Sequence, residues 1–466
     1  MNLTEKIKNN LKDKHFGEVL KGSIFTFLAR GFAAVFALGL QVIIARFYGA
    51  DVLGVTELIN SFLMIVVIFV LMGTQVSILR FIPEYTKKYS SFVAYKVYRK
   101  VLYFILFLSI FITVIIFLNS HFISVKIFKK PQYLTFFVLA SFFIPFRALY
   151  EYYMAVARGL KLIKGFAFLQ LTPSLSNLII LSILTIFFYH KYNPVYSLLI
   201  AFTVTALAGL FISEFKFRIQ NSKSKINNPT LNTQNPKSKI QNPKFYNYNK
   251  PDIKLKYLLT ISFPMFLTTS MSYINNQAGV LLLGMFRSES EIGYYAIAVK
   301  LATLTSFVLT AINSMIAPKF SELYHSGEMD ELFQVVRKST KLIFWSTAPI
   351  LIGLVVFGKF ILLNFFGKEF INSYTPLLVL VVGQFVNAIC GSVGYFLNMT
   401  GNERFVSIVI MMSCIINVAL GYVLIPKYGI NGAAIASGIS MIFWNMAMVI
   451  FIKRRFNFLF IYRPVF

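Results

Sequence analysis

Three basic side chains, Arg30, Arg147 and Lys300, stand inside stretches that are otherwise almost wholly apolar, and two carboxylates, Glu57 and Glu151, lie within or near such stretches. A cation at mid-bilayer costs about 3 kcal/mol on insertion scales, so each needs a partner, water or a ligand. Helical spacing places Arg30 on a stripe with Ser23, Thr26, Ala33, Ala34, Ala37 and Gln41, opposite Phe25, Leu28, Phe32, Val35 and Phe36. The arginine therefore turns away from lipid. Lys300 shares a similar stripe with Ala296, Thr303, Ser306, Thr310, Asn313 and Ala317, and a third stretch offers Thr268, Ser272, Asn275, Asn276 and Gly279. Three such helices would line an aqueous cavity. Guanidinium groups pair with phosphate and amides with sugars, so the cavity suits an anionic headgroup bearing hydroxyls. A cavity for cationic drugs would be ringed by acids.

Each charge also has a structural reading. Arg147 and Glu151 are four residues apart on one helix face, and either neutralise each other or leave the arginine to a ligand. Lys300 lies about 12 Å below the end of its span, where a long side chain can snorkel to the interface. Arg30 has no local carboxylate, so its structural alternative is an acid on another helix, such as Glu57.

The elements that must position these groups are membrane spans. The chain is 57% hydrophobic and 13% charged, whereas soluble domains carry about a quarter charged residues. Twelve apolar stretches long enough to cross a bilayer read as helices at 23–48, 53–79, 101–122, 133–157, 166–189, 195–215, 257–285, 292–317, 339–363, 374–399, 405–426 and 431–452. No alternating ten-residue segments suggest a β-barrel. The net charge of +28 could suit nucleic acid, but most Lys and Arg fall on alternate connections. That positive-inside bias places both termini in the cytoplasm and argues against nucleic acid.

Residues 1–22 read as a basic, weakly amphipathic cytoplasmic helix at the inner leaflet, 23–218 as six spans, 219–256 as a cytoplasmic basic linker, 257–452 as six more spans and 453–466 as a cytoplasmic tail. Within the linker, SKSKINNP nearly repeats as PKSKIQNP, with too few apolar residues for a core. The two halves echo each other with an offset near 240 residues: GADVLGV around Gly54 resembles SESEIGYY around Gly293, and the spans that follow end at Pro83 and Pro318. Six is even, so the halves form two lobes related by a pseudo-two-fold axis along the membrane normal. Such repeats place a substrate site between them.

Other chemistries find little support. The four histidines lack metal-ligand spacing, so no metal is expected, and Cys390 and Cys414 read as packing residues. No GxxxxGK[ST] loop indicates an ATPase, and no cofactor is expected. Coupling would come from a proton on Glu57 or Glu151, from sodium, or from the membrane potential. The outer loops are too short for a membrane enzyme with clustered catalytic groups.

The first two spans, from GSIFTFLARGFAAVFALGLQVIIARFYG through GADVLGVTELINSF to VSILRFIPEY, with Gly49 and Gly54 at their corner, resemble the polysaccharide-transporter (Wzx-like) flippases. That family shares a superfamily with the lipid II flippases and the multidrug and toxin extruders. The resemblance extends over the whole chain. It implies alternating-access flipping of a polyprenyl-diphosphate oligosaccharide to the outer leaflet for O-antigen, capsule or exopolysaccharide synthesis. Functional basic residues of the first and eighth helices would fall on Arg30 and Lys300, and an acid near the start of the second on Glu57. The eighth-helix residue is often arginine in relatives, and lysine lacks its bidentate fork. With Arg147, Gln41, Asn275, Asn276 and Asn313, these make up the expected substrate site. The expected setting is the cytoplasmic (inner) membrane, with a monomer in contact with lipids, a polymerase and glycosyltransferases. The rival reading is an exporter of small organic anions or drugs on the same fold.

Overall fold

The computed structural model describes residues 14–226 and 255–461, all of them helix or short connection with no strand. The expectations for residues 1–13, 227–254 and 462–466 lie outside the described residues. The helices are α1 (Lys14–Leu71), α2 (Thr74–Lys88), α3 (Ser91–Leu118), α4 (Leu134–Gly159), α5 (Ile163–Phe187) and α6 (Asn193–Ile226). After the linker come α7 (Leu255–Phe286), α8 (Glu289–Ala302), α9 (Thr305–His325), α10 (Met329–Ile361), α11 (Tyr374–Cys390), α12 (Val393–Met399) and α13 (Glu403–Phe456).

Two of these helices are hairpins. Gly49 in α1 takes φ 84° and Gly429 in α13 takes φ 55°, conformations that favour glycine. Gln41 Nε2 donates to Glu57 Oε1 at 2.7 Å, although a straight helix would hold residues so spaced about 24 Å apart. The hydroxyls of Ser413 and Ser440 meet at 2.8 Å across the second corner. Among the described residues, eight helices are long and apolar enough to cross a membrane, and the α8–α9 pair, bent by 42°, makes a ninth crossing. The hairpins add one crossing each. The 32-residue α7, made less apolar by its Thr, Ser, Asn and Gln stripe, completes the expected twelve, six on each side of the linker.

Side-chain exposure follows a lipid environment. Leu118, Phe107, Phe187 and Phe211 are each 70% exposed or more, an outward apolar surface that a soluble monomer would not leave open. One continuous core fills the first lobe and runs into the Gly49 end of the second, through Leu283, Ile292, Leu377 and Ile425. The opposite end of the second lobe has a separate core around Phe320, Phe396 and Ile452. That opposite end carries the Lys- and Arg-rich connections and is called the basic end below.

Several boundaries differ from the sequence reading. Lys14 to Gly22 continue into α1 without a break, so this part of the N-terminal segment extends the first span. Span two breaks at Met72 and Gly73, span eight at Thr303 and Leu304, and span ten at Gly391 and Ser392. The tail after α13 folds back onto its lobe. Phe458 stacks on Phe333 at 4.3 Å, and Phe460, only 1% exposed, packs edge-on to Phe396. Removing a buried aromatic ring costs about 3 kcal/mol or more. Phe460→Ala is therefore expected to lower the thermal unfolding midpoint of the purified protein, and an unchanged midpoint would show that the tail contributes nothing.

Candidate functional site

At the Gly49 end the lobes are closed on each other. α8 starts there because Ser288 and Glu291 form a capping box, which fixes Glu289 at the first helical position. Glu289 receives a hydrogen bond from Tyr133 at 2.9 Å and an ion pair from Lys130 at 3.1 Å, both from the other lobe. Arg46 donates to the Phe365 carbonyl at 2.9 Å, and the Ala50 amide donates to Glu369 at 3.0 Å. In the nearby loop, a hydrogen bond with Asp51 raises the pKa of Lys191 above its ordinary value. Between these contacts Gly54 and Gly293 pack reciprocally. A Cβ on Gly54 would overlap the Glu289 carbonyl oxygen and lie 3.0 Å from the Gly293 amide nitrogen, while one on Gly293 would overlap the Ala50 carbonyl and lie 3.3 Å from the Gly54 nitrogen. The two positions that echo each other in sequence thus face each other across the lobe boundary.

Deeper in the same interface, Lys300 Nζ meets Glu57 Oε1 at 2.5 Å, and Glu57 also holds Gln41. Glu57 is 8% exposed and Gln41 5%. The carboxylate weighed as a partner for Arg30 therefore belongs to Lys300, and Gln41 is committed to it as well. Lys300 occupies the last turn of α8, just before the bend.

Arg147 and Glu151 pair at 2.9 Å, and the guanidinium lies 4.7 Å from the Phe202 ring centre and 5.2 Å from that of Tyr150. The crevice beside them, lined also by Gln75 and Tyr273, holds only about 10 Å³, room for roughly one water. Arg147 is thus neutralised and enclosed in this conformation.

Arg30 differs. It is half-buried on the inner side of α1, while Phe32 and Val35 on the outer side are 59% and 65% exposed. No carboxylate among the described residues lies within ion-pair distance of it. A second cation, Arg158 at the end of α4, adds to its electrostatic surroundings, is exposed, and lies 5.5 Å from the Phe166 ring centre. Sequence reading missed Arg158 because it counted the residue with a basic connection.

The amides also sort differently from the sequence expectation. Asn275 is tied into its own lobe, accepting from Asn417 at 2.9 Å and Ser440 at 3.1 Å. In this conformation its side-chain carbonyl is spent on contacts within the second lobe. Asn276, about 100° further round the helix, and Asn313 line a cavity of about 440 Å³ inside the second lobe. Among the described residues no group of three or more His, Cys, Asp or Glu could hold a metal.

Twelve crossings in two lobes, joined at one end and bearing an interior of cations and amides, define a two-lobed multi-pass membrane transporter. The fold is that of a structure titled lipid II flippase MurJ in an inward closed conformation, at TM-score 0.67 and 18% identity, covering 93% of this chain and 87% of that one. It is also that of an inward-facing multidrug resistance MATE family transporter of the MOP superfamily, at TM-score 0.65 and 13% identity, covering 93% and 98%. The chain belongs to the family described as "Polysaccharide biosynthesis protein", whose profile matches residues 19–324.

Curated relatives include a probable low-salt glycan biosynthesis flippase, Agl15, of Haloferax volcanii, 25% identical over 36% of this chain and 36% of that protein. The capsular polysaccharide biosynthesis protein CapF of Staphylococcus aureus is 24% identical over 46% of this chain and 55% of its own length. A putative O-antigen transporter of Shigella flexneri is 26% identical over 33% of this chain and 36% of its own. The matches therefore span about a third to about half of these relatives. Two of the three names describe a flippase or a transporter, and none names an enzyme.

Proposed function

We propose that the protein is a flippase that carries a polyprenyl-diphosphate-linked oligosaccharide from the cytoplasmic to the outer leaflet of the inner membrane, for synthesis of a cell-surface polysaccharide. The observation that carries this reading is Arg30, half-buried on the inner side of α1 with no carboxylate within ion-pair distance among the described residues. A guanidinium in a membrane interior without a carboxylate partner is electrostatically unfavourable until an anion joins it, and a diphosphate does so with bidentate hydrogen bonds. The names of the relatives support the same substrate class.

In this reading the basic end is cytoplasmic, both termini lie there, and a monomer receives the substrate from glycosyltransferases on that side. The polyprenyl tail stays in lipid between the lobes while the headgroup enters. Lobe rocking then opens the Gly49 end and delivers the headgroup outward, toward a polymerase. Glu57 is the coupling residue. Neutralising its carboxyl releases Lys300 and loosens the interlobe contact in one step. Each charge carried across the membrane potential contributes about 2.3 kcal/mol per 100 mV.

The test is glycan exposure to an impermeant lectin in proteoliposomes containing a polyprenyl-diphosphate oligosaccharide. Removing one partner of a buried, hydrogen-bonded charge contact costs about 2 kcal/mol or more, so Arg30→Ala is expected to slow exposure roughly thirtyfold. An unchanged rate in that variant would overturn the cationic site. Wild-type protein that exposes no glycan yet exports small organic anions would favour the exporter reading.

A further inference from the structure

A cavity rich in amides lies within one lobe, away from the ion pairs. Five asparagines reach it from five helices: Asn276 on α7, Asn313 on α9, Asn387 on α11, Asn398 on α12 and Asn445 on α13. An asparagine side chain offers two donors and a carbonyl with two lone pairs, and most of that capacity is unspent here. Asn276 and Asn398 have no side-chain hydrogen-bond partner among the described residues. Asn445 donates once, to the Met441 carbonyl at 2.9 Å, while Asn387 makes a single long contact of 3.4 Å with Gln384. Asn313 accepts from Ser392. Asn276 and Asn398 are exposed to this space, and amides that open to a cavity inside a membrane protein call for water or a polar guest.

The walls narrow the guest further. No Asp, Glu, Lys or Arg lines the cavity, so it does not select a charge. Trp444 and Tyr395 supply aromatic surface beside the amides. The helix break at Gly391, with φ 64°, lets main chain between α11 and α12 face the cavity instead of continuing a helix. Broken helices with main chain turned toward a cavity are how membrane transporters present polar binding groups. At about 440 Å³ the space falls within the range of small-molecule sites.

We propose that this cavity is a sugar subsite that holds one or two rings of the glycan borne by the diphosphate. The inference rests on the flippase reading and extends it by assigning the carbohydrate to the interior of the second lobe. An uncharged polyol satisfies the amides without adding charge to the membrane interior. The flippase would thereby discriminate among substrates by the first sugars, since a site built to hydrogen-bond hydroxyls is left with unpaired groups when they are missing.

The chain has only two tryptophans. Trp345, 52% exposed on the outside of α10, can be replaced by Phe so that Trp444 alone reports on the cavity. Binding is measured by fluorescence for farnesyl diphosphate and for farnesyl diphosphate bearing N-acetylglucosamine, glucose, galactose or rhamnose. The expected result is that at least one sugar-bearing probe binds tenfold or more tighter than the bare diphosphate and changes Trp444 emission. Asn387→Leu, and independently Asn398→Leu, should abolish that gain while leaving bare-diphosphate affinity intact. Equal affinity for all five probes, or a sugar gain that survives both substitutions, overturns the subsite. Failure of the bare diphosphate to bind, or binding indifferent to Arg30→Ala, strikes instead at the diphosphate reading, so the two failures are distinguishable.

Discussion

Gly54→Leu is expected to abolish transport while leaving each lobe folded. Any Cβ at this position overlaps the main-chain carbonyl of Glu289, and a main-chain atom cannot swing aside as a side-chain tip can. Small residues at a helix crossing exist to allow this closeness. Overpacking a tight contact costs typically 1–3 kcal/mol, and about 2 kcal/mol shifts a two-state equilibrium roughly thirtyfold. That cost falls only on the conformation in which the Gly49 end is closed, because the second half of the α1 hairpin and α8 touch there across the lobe boundary. Spin labels at Lys191 and Lys427, one on each lobe near the Gly49 end, should therefore move apart in the variant, with transport falling in parallel. Gly293→Leu should reproduce both effects, since its Cβ overlaps the Ala50 carbonyl in the reciprocal way. Unchanged label distances with normal transport in both variants would show that this crossing is not the outer closure.

The second large effect concerns Glu57 and Lys300. Replacing Glu57 by Ala leaves an ammonium without its partner in the interlobe interface and also frees the Gln41 amide. Breaking a buried pair from one side costs about 3–5 kcal/mol, whereas replacing both partners with apolar groups is often neutral. Glu57→Ala is therefore expected to lower the unfolding midpoint sharply, and adding Lys300→Met should restore much of it. Lys300 retains 31% of its side-chain exposure, so the loss should fall toward the lower end of that range. The double variant should be stable yet transport poorly if the pair serves coupling. Stable, fully active single variants would remove the pair from both roles.

Much of the architecture was legible because it is written in local patterns. Long apolar stretches gave the crossings, and the i,i+4 spacing of Arg147 and Glu151 foretold their ion pair. The likeness between GADVLGV and SESEIGYY marked the two glycines that now face each other. Helix breaks were less legible. Thr303 carries no turn signal of its own, and the long apolar run around Gly73, which takes φ 79° at the other break, masked that interruption. The C-terminal tail read as an appendage because its phenylalanines find their partners, Phe333 and Phe396, far away in sequence.

The sequence by itself determined that this is an all-helical, two-lobed membrane protein with cations on inward-facing stripes. Hydropathy, charge placement and helical period are properties of a few consecutive residues, and they decide which side of a helix leaves the lipid. Only the tertiary structure decided what each inward group meets. Glu57 pairs with Lys300, 243 residues away, and not with Arg30. Asn275 and Asn276, adjacent in sequence, meet contacts within the lobe and the cavity respectively because one step along a helix turns a side chain by about 100°. Five asparagines on five helices become a single surface only when those helices pack, because contact between distant groups depends on the relative placement of whole elements.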